Sequence, residues 1–327
     1  NQFFFFFYGI FWGVRLVGAP PSSIGKFGGD TDNWMWPRHT GDFSVFRIYA
    51  DANNLPADYS PNNRPYQPRR FLPISLKGIE KGDFTFVYGY PGSTREYLPS
   101  FVIRSITEQQ NPVRIHLRDI RLRIMDEYMQ VNKTICIQYA SKSAGLANGW
   151  KKWTGENRGI TRINAISRKQ DYESNFSRWA QHGPYNELLP LYEKKYLEYA
   201  YYRVSELWLS EAAFGIECLS IARSFQTLVD ASVKPRPDTA FIRKTKKQLL
   251  ASLPSFYKNY YPPLDFEMMK TLLDEYQKNR QNILFPISLD NWNQKYGGRL
   301  SAIFDKSLFP HQERLLGLLK NYKPSDA

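Results

Sequence analysis

Apolar side chains in the first hundred residues alternate with polar ones or come in short runs closed by Gly and Pro. Val14-Arg15-Leu16-Val17 stops at Pro20-Pro21. Asp42-Phe43-Ser44-Val45-Phe46-Arg47-Ile48-Tyr49 is rich in β-branched and aromatic residues. Asp83-Phe84-Thr85-Phe86-Val87-Tyr88 lies between Lys81-Gly82 and Gly89-Tyr90-Pro91-Gly92. Such segments suit a pleated, half-buried surface, so the pattern predicts short strands of a barrel or sandwich. Residues 50–70, dense in Pro, Asn and Asp, read as a surface loop. Beyond Phe101 the period changes. Val113, Leu117, Ile120, Ile124 and Tyr128 recur at helical spacing, which predicts a helix ending before Asn132. More than one helix is expected over 185–230, with a break at Gly215, and further helices over 239–252, 264–281 and 307–321. The fold class is therefore α+β: a β-region over 1–100, then a mainly helical region over 101–327.

Composition narrows this. The 327 residues are 42% hydrophobic and 16% aromatic, far from the composition of chains that stay unfolded. The net charge is +13, but residues 1–100 carry 10 basic and 8 acidic side chains against 34 and 23 in the remainder, so the excess lies in the helical part. Cys136 and Cys218 read as small buried hydrophobes rather than a disulfide framework. The opening Phe3–Phe7, Tyr8, Ile10, Phe11 and Trp12 make an apolar run of about ten residues, against the roughly 20 that a membrane span needs. No basic segment precedes it, so it reads as the interior of a longer polypeptide and not as an export signal.

Candidate chemistry centres on one dense stretch, Phe27-Gly28-Gly29-Asp30-Thr31-Asp32-Asn33-Trp34-Met35-Trp36-Pro37-Arg38-His39-Thr40-Gly41-Asp42-Phe43. Together with Ala19-Pro20-Pro21-Ser22-Ser23-Ile24-Gly25, Gly89-Tyr90-Pro91-Gly92-Ser93-Thr94 and Asn148-Gly149-Trp150-Lys151-Lys152-Trp153, it closely resembles the bacterial serine dipeptidyl-peptidases of the type 7 and type 11 family. The resemblance is sharp over about residues 14–160 and diffuse beyond. The Phe run departs from the family.

The resemblance implies a trypsin-like double β-barrel followed by an inserted helical domain, here in part: a partial barrel over 1–100 and a helical domain over 101–327 that caps the cleft. It makes Asp42 the triad carboxylate, which fixes the tautomer of the base His. It makes Asn33, Trp34 and Asn148 the group that holds the free amino end of the peptide: two amide carbonyls accept from the ammonium, and an aromatic wall shields it. The nucleophilic Ser and the base His would fall outside these residues, so the chain by itself is expected to be inactive. The resemblance further implies peptide partners with a free N-terminus, a homodimer, and a periplasmic or secreted place in a Gram-negative bacterium. No cofactor and no nucleic acid are expected.

Other groups read as structural. His39 stands too close to Asp42 in sequence to be its base, and His116, His182 and His311 lack partner spacing. Ser93 lacks a Gly-x-Ser-Gly turn. Asp30, Asp32 and Asn33 resemble the start of a calcium loop, but Met35 and Gly41 stand where such a loop needs Gly and Glu. Two other function classes compete. One is a pseudo-peptidase that only binds peptide ends, which flanking sequence without His and Ser would reveal. The other is a nucleic-acid binder using Lys151-Lys152-Trp153 or Arg243-Lys244-Thr245-Lys246-Lys247, which salt-dependent retention of single-stranded DNA would reveal.

Overall fold

Glycines bound the first strand, and one of them meets the facing strand closely. β1 (Gly13–Gly18) runs antiparallel to β2 (Val45–Ala50), and Gly13 faces Tyr49. A Cβ there would come within 3.2 Å of the Tyr49 carbonyl oxygen. A bulge between Leu16 and Gly18 twists the far end, and β3 (Arg64–Pro65) pairs with the other edge of β2, giving the order β1-β2-β3. The computed structural model describes residues 5, 8–29, 39–86, 95–284 and 294–326. It divides into two compact units, Asn1–Glu96 and Tyr97–Ala327.

In the first unit the predicted loop after β2 is ordered by its own side chains. Asp51 accepts from the backbone N–H groups of Asn53 and Leu55 at 2.8 and 2.9 Å. Asn54, at φ 64°, exchanges two hydrogen bonds with the backbone of Gln67. Arg15 lies over Tyr49 and Tyr59, 3.9 and 5.2 Å from the ring centroids. Little is buried: Val14, Leu16, Phe46 and Ile48 remain exposed. The strand expected over 83–88 does not form across its described residues, where Phe84 and Phe86 are exposed and pair with no strand among the described residues. A strand requires a partner edge, and local pattern cannot supply one.

The second unit is helical. After α1 (Ser22–Gly25) of the first unit come α2 (Ser100–Ser105), a π-turn at Ile106–Gln110 and α3 (Asn111–Val131). Asn132 ends α3 and starts α4 (Lys133–Arg162), its side chain accepting from the N–H groups of Thr134 and Ile135. α5 (Ala165–Ala180) and α6 (Leu188–Glu211) follow, then a short turn at Ala213–Gly215. The remainder holds α7 (Glu217–Ser224), α8 (Gln226–Ser232), α9 (Thr239–Lys258), α10 (Pro262–Lys278), α11 (Leu300–Lys306) and α12 (Gln312–Asn321). Sequence pattern anticipated α3, α6, α9, α10 and α12 but not α4 or α5.

Two cores hold the helices. Leu117, Ile120, Ile124, Tyr139, Trp208, Leu272 and Tyr276 join α3, α4, α6 and α10, and Leu228, Ile242, Leu253, Leu315 and Leu319 join α8, α9 and α12. Asp265, fully buried, ties α10 to the start of α7 by accepting from the N–H groups of Glu217 and Cys218 at 2.6 and 2.9 Å, and from Tyr260 Oη at 2.9 Å. Both cysteines are free thiols; burial pushes that of Cys218 up. Among the described residues no helix is long and apolar enough to cross a membrane.

Candidate functional site

In the first unit the approach to Asp42 is fixed by its neighbours in sequence. The Thr40 hydroxyl donates to the Phe27 carbonyl at 2.9 Å, and the Gly41 N–H donates to that of Ile24 at 3.1 Å. A Cβ on Gly41 would come within 2.9 Å of the Ile24 side chain, so glycine is what lets this loop lie against α1. Asp42 itself is exposed, just ahead of β2. Ser22-Ser23-Ile24-Gly25 and Thr40-Gly41-Asp42 thus lie against each other. Asn33 and Trp34 lie outside the described residues. His39 is exposed.

In the second unit Asn148 is exposed on α4, and the residue after it explains how that part of the helix is held. A methyl group built on Gly149 would overlap Nη1 of Arg118 and reach within 3.4 Å of Trp153. Arg118 cannot give way freely. It donates to both carboxylate oxygens of buried Glu211, from Nε at 3.2 and 3.0 Å and from Nη2 at 2.9 Å. It also donates to the Leu146 carbonyl and stacks 4.5 Å from the Trp153 centroid, with Arg114 over the same ring at 4.8 Å. Arg121 donates from Nη1 to Glu211 at 3.3 Å. One turn on, fully buried Asn111 donates to Glu156 at 3.0 Å and Asn157 at 2.7 Å, and Asn157 donates to the Thr107 carbonyl. Thus Gly149 and Trp153 of the motif that begins at Asn148, with Glu156 one turn beyond it, set α4 against α3, and Arg118 extends the tie to α6.

Gly149→Ala is a direct check of this packing. Helix propensity alone favours alanine by about 1 kcal/mol, whereas overfilling a packed site costs about 1–3 kcal/mol. A net loss of about 1 kcal/mol is expected, seen as a fall of about 2–4 °C in the unfolding midpoint. A more stable variant would show that Arg118 yields.

The structure describes Asp42 in the first unit and Asn148 in the second, each by itself. It adds what sequence reading missed, a set of charges in which the partly buried Arg118 and Arg121 converge on buried Glu211. The signal was present: Arg114, Arg118 and Arg121 recur at four- and three-residue spacing, which puts a basic stripe directly beside the apolar stripe of Leu117, Ile120 and Ile124. Among the described residues no cluster of His, Cys, Asp and Glu is placed to hold a metal.

Residues 1–326 match the Peptidase S46 family. The chain belongs to that family. Within S46, an Asp/Glu-specific dipeptidyl-peptidase of Flavobacterium psychrophilum is 43% identical over 94% of this chain and 43% of its own length. Dipeptidyl-peptidase 7 of Porphyromonas gingivalis is 38% identical over 98% of this chain and 45% of its own. The crystal structure of Porphyromonas endodontalis DPP11 with the dipeptide Arg-Glu superposes with a TM-score of 0.72 at 33% identity, covering 95% of this chain and 45% of that one. The S46 chain therefore spans less than half the length of these relatives.

Proposed function

We propose that this chain forms part of a serine-type dipeptidyl-peptidase, which releases dipeptides from the free N-terminus of peptides by Ser-His-Asp acyl transfer. The observation that carries this is the match to dipeptidyl-peptidases along nearly the whole chain, including a DPP11 bound to a dipeptide. Residues 1–100 then contribute to a trypsin-like double barrel, and the exposed apolar side chains of β1 and β2 suit a sheet whose faces are covered by further packed structure. Residues 101–327 form the helical domain over the cleft. Asp42 orients the base; Asn33, Trp34 and Asn148 hold the substrate ammonium. The chain contains neither nucleophile nor base in this reading and is inactive alone. The enzyme acts in the periplasm or outside a Gram-negative cell, as a homodimer.

The amino-end clamp is tested on the whole enzyme with Asn148→Ala. A hydrogen bond to a charged group contributes about 1.5–3 kcal/mol, so kcat/KM on free peptides should fall about 10- to 100-fold. The loss should fall on KM if the contact binds ground state and transition state alike. Unchanged kcat/KM, or cleavage of an N-acetylated peptide as fast as the free one, would remove the clamp from the mechanism.

A further inference from the structure

Asn148 stands in a stretch of α4 that is poor in helix-forming residues. Gly145, Asn148 and Gly149 fall within five positions, and both residue types form helix less readily than alanine. Glycine leaves the backbone more freedom than any other residue, so local propensity does not hold the Asn148 backbone at a set place. Contacts from outside α4 do. Leu146 is buried in the core that joins α4 to α3, α6 and α10, which grips the turn on its apolar side.

Arg118 of α3 grips it on the polar side and touches the α4 backbone both before and after Asn148. Its Nη1 donates to the Leu146 carbonyl at 3.4 Å, and the same atom lies against Gly149, where any Cβ would overlap it. Trp153, one turn further along, stacks on the guanidinium with its ring centroid 4.5 Å away. The other two nitrogens are anchored on α6: Nε donates to buried Glu211 at 3.0 Å and Nη2 at 2.9 Å. One planar fork is thus used in two directions at once, toward α4 and toward α6. A lysine ammonium keeps the charge beside Glu211 but has no fork with which to reach the Leu146 carbonyl as well.

We infer that Arg118 is a positioning residue of the amino-end clamp: anchored by Glu211, it fixes the α4 turn that carries Asn148, and with it the amide that accepts from the substrate ammonium. The inference rests on the reading of Asn148 as part of that clamp. It goes beyond that reading by placing what sets Asn148 on two other helices, in residues that act only through α4.

The test is a double-mutant cycle in the whole enzyme, combining Arg118→Lys with Asn148→Ala, with kcat and KM measured on a free peptide at a temperature where every variant is folded. Arg118→Lys alone is expected to lower kcat/KM about tenfold, chiefly through KM, since misplacing a positioning group by about 1 Å can cost about 100-fold. In the Asn148→Ala background the same change is expected to alter kcat/KM less than about twofold, because no amide is left to place. A residue that only stabilises the domain would give the same factor in both backgrounds. Gly149→Ala presses on the guanidinium from the α4 side and removes none of the partners of Glu211. Carried through the same cycle, it should show the same pattern with a smaller loss, and it decides the matter if Arg118→Lys fails to fold. Equal factors in the two backgrounds, or a folded Arg118→Lys enzyme with unchanged kcat/KM, would overturn the inference while leaving Asn148 in the clamp. An unchanged kcat/KM in Asn148→Ala would instead remove the clamp, and the positioning role with it.

Discussion

Asp42→Asn in the whole enzyme is expected to lower kcat about 10⁴-fold, the loss seen when a triad carboxylate becomes an amide and the base His is held in the wrong tautomer. An amide can donate where the carboxylate could only accept, so the imidazole nitrogen that should take the Ser proton carries one already. Folding should be untouched. Asp42 is exposed, and the contacts fixing its loop come from Thr40 and Gly41, so the unfolding midpoint should stay within the ±0.5 kcal/mol typical of surface changes. Asp58→Asn serves as control, another exposed aspartate in the same unit, and should leave kcat unaltered. Steady-state kinetics beside thermal unfolding checks both. A kcat within about tenfold of the unsubstituted enzyme would remove Asp42 from the triad.

The stretch around Asp42 stands out in the sequence because rare residue types are crowded there; of its described residues, Gly41 passes close to Ile24, where a Cβ would come within 2.9 Å of the Ile24 side chain. The strands β1 and β2 were legible from alternation and Gly or Pro boundaries, which are local. The segment after Asp83 has the same texture and forms no strand in its described part, because pairing is decided at a distance. α3 announced itself by spacing. α4 did not, since Gly145, Gly149, Gly155 and Gly159 dilute its helical signal. Gly149 is there for the Arg118 guanidinium, a tertiary requirement invisible along the chain. Not every basic residue of the helical part faces solvent: Arg114 is buried, and Arg118 and Arg121 turn inward on Glu211. Composition counts charges but does not say which of them are paired.

Glu211→Gln should be strongly destabilising to the helical unit although it keeps the side-chain shape. Glu211 has a side chain only 9% exposed and is shared by Arg118 and Arg121, themselves 19% and 15% exposed. Removing one partner of a buried pair costs about 3–5 kcal/mol because the other charge is left uncompensated. Here two guanidinium groups are left against a neutral amide. A loss of about 3 kcal/mol or more corresponds to a midpoint lowered by roughly 10 °C, at about 2–4 °C per kcal/mol for a domain of this size. The comparison that isolates the cause is Arg118→Met, which removes one cation and leaves Glu211 paired with Arg121. It should cost clearly less than Glu211→Gln, although it also takes away the stacking on Trp153. If the two variants unfold at the same temperature, or the arginine variant unfolds first, packing against Trp153 and Gly149 outweighs charge pairing in holding α3, α4 and α6 together.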